Sequence, residues 1–289
     1  MKEQTLTSEN IGQKYPPWIR GRISVNKNFL TIQNLLQKKN LNTVCVEAAC
    51  PNKGECWGAR HVTFMILGKN CTRKCLFCNV AGGIPEKIDF QETKRIADAL
   101  KEISAKYVVI TSVTRDDLPD RGVDQFLNMV KEIKSAMPKT KIELLIPDFD
   151  AKKTFLNKIA FSGAEIIGHN IEMPRALYPI IRPEADYNVS IKAIKLLNQA
   201  KNEGAPILVK SSIMVGLGET KDDVFETFKN LKNAGIDILY IGQYLSPSPK
   251  HWPVKKYYTP EEFKFFEKKA YEMGFSAVCS GPLVRSSYI

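Results

Sequence analysis

The chain has no run of about 18 apolar residues, the length a membrane-crossing helix needs. Its opening stretch, MKEQTLTSENIGQKYPPWIRGR, has no apolar core and is not expected to act as a secretory signal. The expected location is therefore cytoplasmic, with thiols kept reduced and no membrane partner. Histidine is scarce. His61, His169 and His251 lie far apart and define no metal site, although His169, at a strand end beside Asn170, is expected to face a pocket. GLGE at 216–219 lacks the lysine–serine ending of a phosphate-binding loop and the full spacing of a dinucleotide fingerprint. There is no recognised nucleic-acid module and no basic stripe interleaved with aromatics. Internal repeats and low-complexity tracts are absent too.

What is present is concentrated. Seven cysteines occur in 289 residues, and six of them fall between positions 45 and 78. In a reducing compartment such a cluster reads as metal ligands rather than disulfides. The seventh, Cys279, sits in the apolar run FSAVCSG and reads as a buried, inert thiol. The formal charge is +11, which can favour nucleic acid, a membrane or an acidic protein partner, but the lysines are scattered over expected helices and each reads first as part of a solvated helical surface.

The middle of the chain alternates apolar β-type runs with amphipathic helical runs. The strand candidates are 62–67, 106–112, 141–147, 164–171, 207–215 and 237–245. Helix starts are marked where Asp89 precedes Glu92, Thr220 precedes Asp223, and Thr259 precedes Pro260 and Glu262. Gly204, Gly235 and Gly274 stand where helices should stop. TIQNLLQKKN at 31–40 predicts one more helix. Near-continuous apolar strands alternating with helices imply a parallel sheet with helices outside. A closed eight-unit barrel takes roughly 250 residues. The pattern here therefore predicts an α/β fold, a partial (β/α)6 TIM-type barrel over 61–274. An N-terminal extension, 1–60, carries three cysteines, and a C-terminal tail, 275–289, closes the chain. Chemistry is expected at the C-terminal strand ends.

GKNCTRKCLFCNV, at 68–80, places Cys71, Cys75 and Cys78 just after the first strand. A structural zinc site takes four protein ligands, and so does an ordinary four-iron cluster. Three thiolates leave one iron open for another molecule. The Cys-x3-Cys-x2-Cys spacing, with Phe77 before the last cysteine, resembles the radical S-adenosylmethionine superfamily. That resemblance implies a 4Fe-4S cluster whose open iron chelates S-adenosylmethionine. One electron then releases a 5′-deoxyadenosyl radical. A zinc knuckle with a distant fourth ligand is the competing reading.

A second trio, Cys45, Cys50 and Cys56, is spaced x4 and x5. Together the two trios resemble the lipoyl synthase family. So do VKSSIMVGLGE at 209–219, TSVTRDDLPD at 111–120, GQYLSPSPKHWPV at 242–254, and the terminal Arg285-Ser286-Ser287-Tyr288. The resemblance runs from about Tyr15 to Tyr288. It implies a second, auxiliary 4Fe-4S cluster on Cys45, Cys50, Cys56 and a tail serine, Ser287 or alternatively Ser286. A hard alkoxide on iron is expected to leave more readily than a thiolate, which suits a cluster that is consumed. The chain ends one residue after Tyr288, so Arg285 and Tyr288 are expected to anchor the serine.

The implied reaction inserts two sulfur atoms at carbons 6 and 8 of a protein-bound N6-octanoyl-lysine, giving lipoyl-lysine. The implied partners are octanoylated lipoyl domains (2-oxo acid dehydrogenase acyltransferase subunits and the glycine cleavage H protein), a low-potential electron donor and iron–sulfur cluster carriers. Thr111, Ser112, Asn170, Glu172, Lys210 and Gln243, near strand ends, are expected to hold the methionine and ribose parts, with Phe77 against the adenine. Arg115 and Asp116 are expected to meet the substrate lysine arm. GLGE is expected to let the backbone pass close to the cofactor. The alternatives are another radical sulfur-inserting enzyme, a two-cluster electron carrier, or a zinc-dependent nucleic-acid-binding protein.

Overall fold

Strands buried on both faces must satisfy their backbone groups with one another, and the described residues form six such strands and one more exposed edge strand. In the computed structural model, which describes residues 15–19 and 26–288, they form one parallel sheet in chain order. They are β1 (Thr63–Ile66), β2 (Tyr107–Ser112), β3 (Lys141–Leu145), β4 (Ile166–Gly168), β5 (Leu208–Val215), β6 (Ile238–Gln243) and β7 (Ala277–Gly281). β1 and β7 do not pair, so the barrel is open on that side. The expected partial barrel is what the chain forms, with one strand more than the periodicity indicated. Ala277–Gly281 lies in the stretch expected to be tail. It is an edge strand of small residues, paired to β6 with Cys279 opposite Tyr240. Cys279 is half-buried rather than sealed in the core.

Among the described residues three helices precede β1: α1 (Lys27–Lys39), α2 (Val44–Glu47) and α3 (Lys53–Gly58). The helix expected at 31–40 is the body of α1. After β1 to β3 come α4 (Glu92–Glu102), α5 (Val123–Ala136) and α6 (Lys153–Ala160). The short α7 (Tyr178–Ile181) and α8 (Tyr187–Asn202) follow β4. α9 (Lys221–Ala234) and α10 (Pro260–Glu272) follow β5 and β6. Thr220 with Asp223, and Thr259 with Glu262, form complete capping boxes. Each cap stabilises its helix by about 1 kcal/mol. The boundaries expected at Gly204, Gly235 and Gly274 are also found, each with positive φ.

The Asp89–Glu92 pair is not a capping box. Gln91 occupies the N-cap position without a side-chain bond. Glu92 instead turns inward and accepts the Leu67 N–H at 2.8 Å, tying α4 to the end of β1. Between α9, α10 and β7 lies an aromatic cluster. Phe228 stands edge-to-face with Phe266 at 6.5 Å and with Phe275 at 6.3 Å. Truncating such a buried ring costs about 3–5 kcal/mol.

Candidate active site

The chain leaves β1 through Leu67 and Gly68, both in the left-handed region, and turns across the C-terminal ends of the strands. The loop that follows carries Cys71, Cys75 and Cys78. Its backbone is held on several sides. Cys71 N–H donates to Ala81 O at 2.7 Å, Leu76 N–H to Ile181 O at 2.9 Å, and Lys74 N–H to the Glu184 carboxylate. Thr72 Oγ1 donates to Thr114 O at 3.0 Å. The firmest tie is Arg73. Its guanidinium donates to both oxygens of Asp116, at 2.8 and 3.0 Å, and to both of Asp148, at 2.5 and 3.1 Å. Burial pushes the Asp148 carboxyl up, but the hydrogen bonds and charge of Arg73 outweigh it and bring it down to about 2. A single buried cation thus pins the cysteine loop to the ends of β2 and β3.

Burial pushes the Cys78 thiol up to about 12. Cys75 also rises through burial, against the charge and hydrogen bond of Arg182. Thiols kept protonated by burial lose their protons to solvent when they bind a metal as thiolates. Cys71 Sγ meanwhile accepts N–H groups of Arg73 and Thr114, each at 3.4 Å. These donors suit a sulfur that carries negative charge.

The three cysteines open onto a cleft of about 490 Å³, within the range of small-molecule sites. Phe77, Thr111, Ser112, Asn170, Glu172 and Gln243 all line it, as expected. Their side chains are unequally free. Thr111 Oγ1 already donates to Leu145 O at 2.9 Å. The Gln243 amide is fully engaged, donating to Val215 O, Tyr244 O and Lys256 O and accepting Tyr258 N–H. It holds the 244–258 segment over the barrel. Three buried polar atoms around the cleft have no protein partner: Ser112 Oγ, His169 Nε2 and Arg182 Nε. His169 faces the pocket as expected, with Nδ1 on Ile146 O at 2.9 Å. Arg182 was not singled out from sequence, since nothing in RPEAD marks it. Glu172 stands beside it at φ +66, a conformation rare for a residue with a side chain. Burial pushes its carboxyl up against the charge of Arg182. A cation with an unpaired Nε, a buried carboxylate beside it and an unpaired hydroxyl suit a zwitterionic amino-acid ligand.

Three of the expected residues lie off the cleft. Lys210 lies toward the N-terminal ends of the strands, where Glu143 binds it at 2.9 and 3.1 Å. Tyr107 O–H donates to the same carboxylate, and the Tyr240 ring covers the ammonium at 3.9 Å. Arg115 is buried and forked onto Asp117, with a third bond to Leu67 O at 3.3 Å. Asp116 is held by Arg73 as described. None of the three lines the cleft. Each side chain is captured by an opposite charge, which strand position alone does not reveal. GLGE is also away from the cleft: Glu219 folds its own carboxylate onto the N–H groups of Gly216, Leu217 and Gly218. Gly216 is needed because a Cβ there would meet Lys256 O at 2.5 Å.

The second trio surrounds a smaller cavity of about 150 Å³. Cys45 comes from α2, Cys50 from the turn after it and Cys56 from α3. Ser286, Ser287, Tyr288 and Arg285 reach it from the other end of the chain. The tail arrives there by crossing β6 at Gly242, where a Cβ would lie 2.1 Å from Val284 O. Asn52 Nδ2 then holds Leu283 O at 2.6 Å, and Tyr288 O–H reaches Glu55 at 3.4 Å. Burial pushes Cys56 up to about 12 and raises Cys50, each helped by neighbouring cysteines. His61 also lines this cavity, a placement that its isolation in the sequence concealed. His251 is a loop residue, bonded to Ser248 Oγ at 2.8 Å. Among the described residues no three His, Cys, Asp or Glu side chains close on a single-ion site. The two cavities share Val44, Ala48, Arg285 and Ser286 as a common wall.

The chain is similar to known proteins. A family model of the Radical SAM superfamily matches residues 65–231. A model of the N-terminal domain of lipoyl synthase of the Radical SAM family matches residues 1–50. A lipoyl synthase of Alkaliphilus metalliredigens is 48% identical over 279 residues, covering 96% of this chain and 95% of that protein. One from Caldicellulosiruptor saccharolyticus is 45% identical over 276 residues, covering 96% of each. Among solved structures, methylornithine synthase aligns with a TM-score of 0.55 at 13% identity, over 88% of this chain and 78% of that one. Streptococcus suis SuiB bound to its precursor peptide aligns with a TM-score of 0.57 at 17% identity, over 89% and 55%. These last two likenesses concern the fold.

Proposed function

This chain belongs to the lipoyl synthase family, a sulfur-inserting branch of the radical S-adenosylmethionine enzymes, and we propose how its residues divide that work. When bound, two 4Fe-4S clusters and S-adenosylmethionine supply the electron relay, the carbon radical and the sulfur that convert octanoyl-lysine on a lipoyl domain into lipoyl-lysine. Cys71, Cys75 and Cys78 hold one cluster at the cleft. Cys45, Cys50, Cys56 and Ser287 hold the other. Ser287 is preferred over Ser286 because it lines the auxiliary cavity alone, whereas Ser286 stands on the wall shared with the cleft. Glu172, Arg182 and Ser112 receive the amino and carboxylate groups of the methionine moiety, and Phe77 lies against the adenine. Lys210, Arg115 and Asp116 stiffen the barrel and the cysteine loop and touch no substrate.

The observation that carries this reading is the shared wall. An alkyl chain lying between the cavities would be exposed to a radical source on one side and a sulfur source on the other. Apolar Val44, Ala48, Met65 and Met214 keep water from that space. The acceptors are lipoyl-domain proteins, and the +11 charge favours an acidic one. The test is anaerobic reconstitution with iron and sulfide, then addition of S-adenosylmethionine, dithionite and an octanoyl-lysine peptide. Mass spectrometry should show two hydrogens replaced by two sulfurs. Formation of 5′-deoxyadenosine without sulfur gain would keep the radical step and remove the substrate assignment.

A further inference from the structure

Loop 81–91 covers the outer side of the Cys71 loop and carries the two most exposed large apolar side chains among the described residues. Ile84 is 90% exposed and Phe90 is 74% exposed. Exposing one such side chain is ordinary, but a pair beside a buried redox site is not. The loop is also wired to a cluster ligand. Cys71 and Gly82 form a parallel bridge, Gly83 N–H donates to Cys71 O at 3.0 Å, and Asn70 Nδ2 donates to Ile84 O at 3.2 Å. One hydrogen bond therefore separates an exposed backbone from the backbone of Cys71.

The surroundings are basic. Lys69, Lys74 and Lys87 are exposed, and none forms a salt bridge among the described residues. Lys74 lies against Gly82, its Cγ 2.8 Å from where a Cβ would be. The nearby acids are engaged. Glu86 accepts the N–H groups of Lys69 and Asn70 at 3.3 and 3.4 Å, and Asp89 pairs with Arg95 at 2.7 Å. None of residues 81–90 lines the cleft, so this face lies outside the substrate's route.

We propose that Ile84 and the lysines around it form the docking surface for an acidic one-electron carrier protein that reduces the cluster held by Cys71, Cys75 and Cys78. The proposal rests on the radical reading above. One electron leaves the carrier, oxidising it by one, and the cysteine-held cluster is reduced by one. No bond forms or breaks at the surface. Small, charged, transient interfaces with an apolar centre are what such encounters use. Because docking avoids the cleft mouth, a lipoyl domain can remain bound while the second electron arrives.

The test uses the full reconstituted protein and two variants, Ile84→Asp and Lys69→Glu/Lys87→Glu. Production of 5′-deoxyadenosine is followed with dithionite, then with reduced acidic bacterial ferredoxin below saturation. Binding of oxidised ferredoxin is measured separately by calorimetry at low and at physiological salt. The expected result is an about tenfold fall in ferredoxin-driven rate and in ferredoxin affinity, with the dithionite-driven rate unchanged. Unchanged ferredoxin affinity and rate would overturn the proposal. So would variants that instead lose binding of an octanoylated lipoyl domain. If the unmodified protein forms no 5′-deoxyadenosine with either reductant, the radical reading fails first.

Discussion

The two cysteine trios are fastened by different means. Cys71, Cys75 and Cys78 share one loop of eight positions, and that loop is clamped by a buried ion network. Cys45, Cys50 and Cys56 form only part of a wall, completed by a tail from more than two hundred residues away. That tail is held by one side-chain amide, one long phenol bond and a close backbone crossing. A site that must keep its cluster through every turnover benefits from a rigid frame. A site whose cluster gives up sulfur benefits from a wall that can withdraw.

The sharpest way to break the comparison is Arg73→Met. It leaves Asp148 and half-buried Asp116 without their cation, and breaking such a network costs about 3–5 kcal/mol. Urea unfolding should show that loss, and reconstituted protein should keep auxiliary iron while losing the iron of the Cys71 loop. Arg73→Lys should rescue only weakly, because an ammonium cannot fork onto two carboxylates at once. Normal cluster content in Arg73→Met would mean that the loop needs no clamp.

The opposite selective loss should follow from Gly242→Val. A side chain there collides with the backbone at Val284 and lifts the tail, at about 1–3 kcal/mol of stability. Iron and sulfide should fall by about half, the radical cluster should remain, and 5′-deoxyadenosine should form without sulfur insertion. Retention of both clusters would show that the serine reaches its cavity by another route.

These two sites also differ in how far they could be read from the sequence. The Cys71 loop was legible because its ligands are neighbours and spacing is a local property. The six first strands, the capping boxes at Thr220 and Thr259, and the cleft positions of Ser112, Asn170 and Glu172 follow from similarly local rules. The rest depends on side-chain pairing across the barrel. Lys210 and Arg115 sit where strand ends suggest ligands, yet Glu143 and Asp117 claim them. Arg182 has no motif around it and joins the cleft only because α7 places it beside Glu172 and Cys75. β7 escaped because its apolar run is short and ends in Ser280 and Gly281, which is less than the extended β-branched run of a central strand. Asp89 lost its capping role because Glu92 found a better partner in the Leu67 N–H.

That same Glu92 gives a pH-dependent way to sharpen the contrast at the rigid site. Burial pushes its carboxyl up to about 7. The folded protein therefore prefers the protonated acid, and the unfolded chain ionises first as pH rises. Stability from this group is lost between about pH 4.5 and 7 and stays lost above. Glu92→Gln keeps an acceptor for Leu67 N–H and removes the titration. It should match the parent near pH 4.5 and exceed it by about 3 kcal/mol at pH 8 in chemical unfolding. Parallel curves for the two proteins across this range would place the charge elsewhere.

The smallest effect should come from Tyr288→Phe at the looser site. The sequence suggested that Arg285 and Tyr288 anchor the ligand serine. In the structure the Tyr288 hydroxyl meets Glu55 at 3.4 Å in an exposed setting, whereas Asn52, buried, holds Leu283 O at 2.6 Å. Exposed, long hydrogen bonds add little, so the substitution should change stability by less than about 0.5 kcal/mol and leave both clusters loaded. Asn52→Leu leaves the Leu283 carbonyl without its donor and should cost about 1–3 kcal/mol, with selective loss of auxiliary iron. If the order were reversed, with the tyrosine variant losing auxiliary iron and the asparagine variant keeping it, the tail would be held from its end. The auxiliary wall would then open from the β6 crossing rather than from Tyr288.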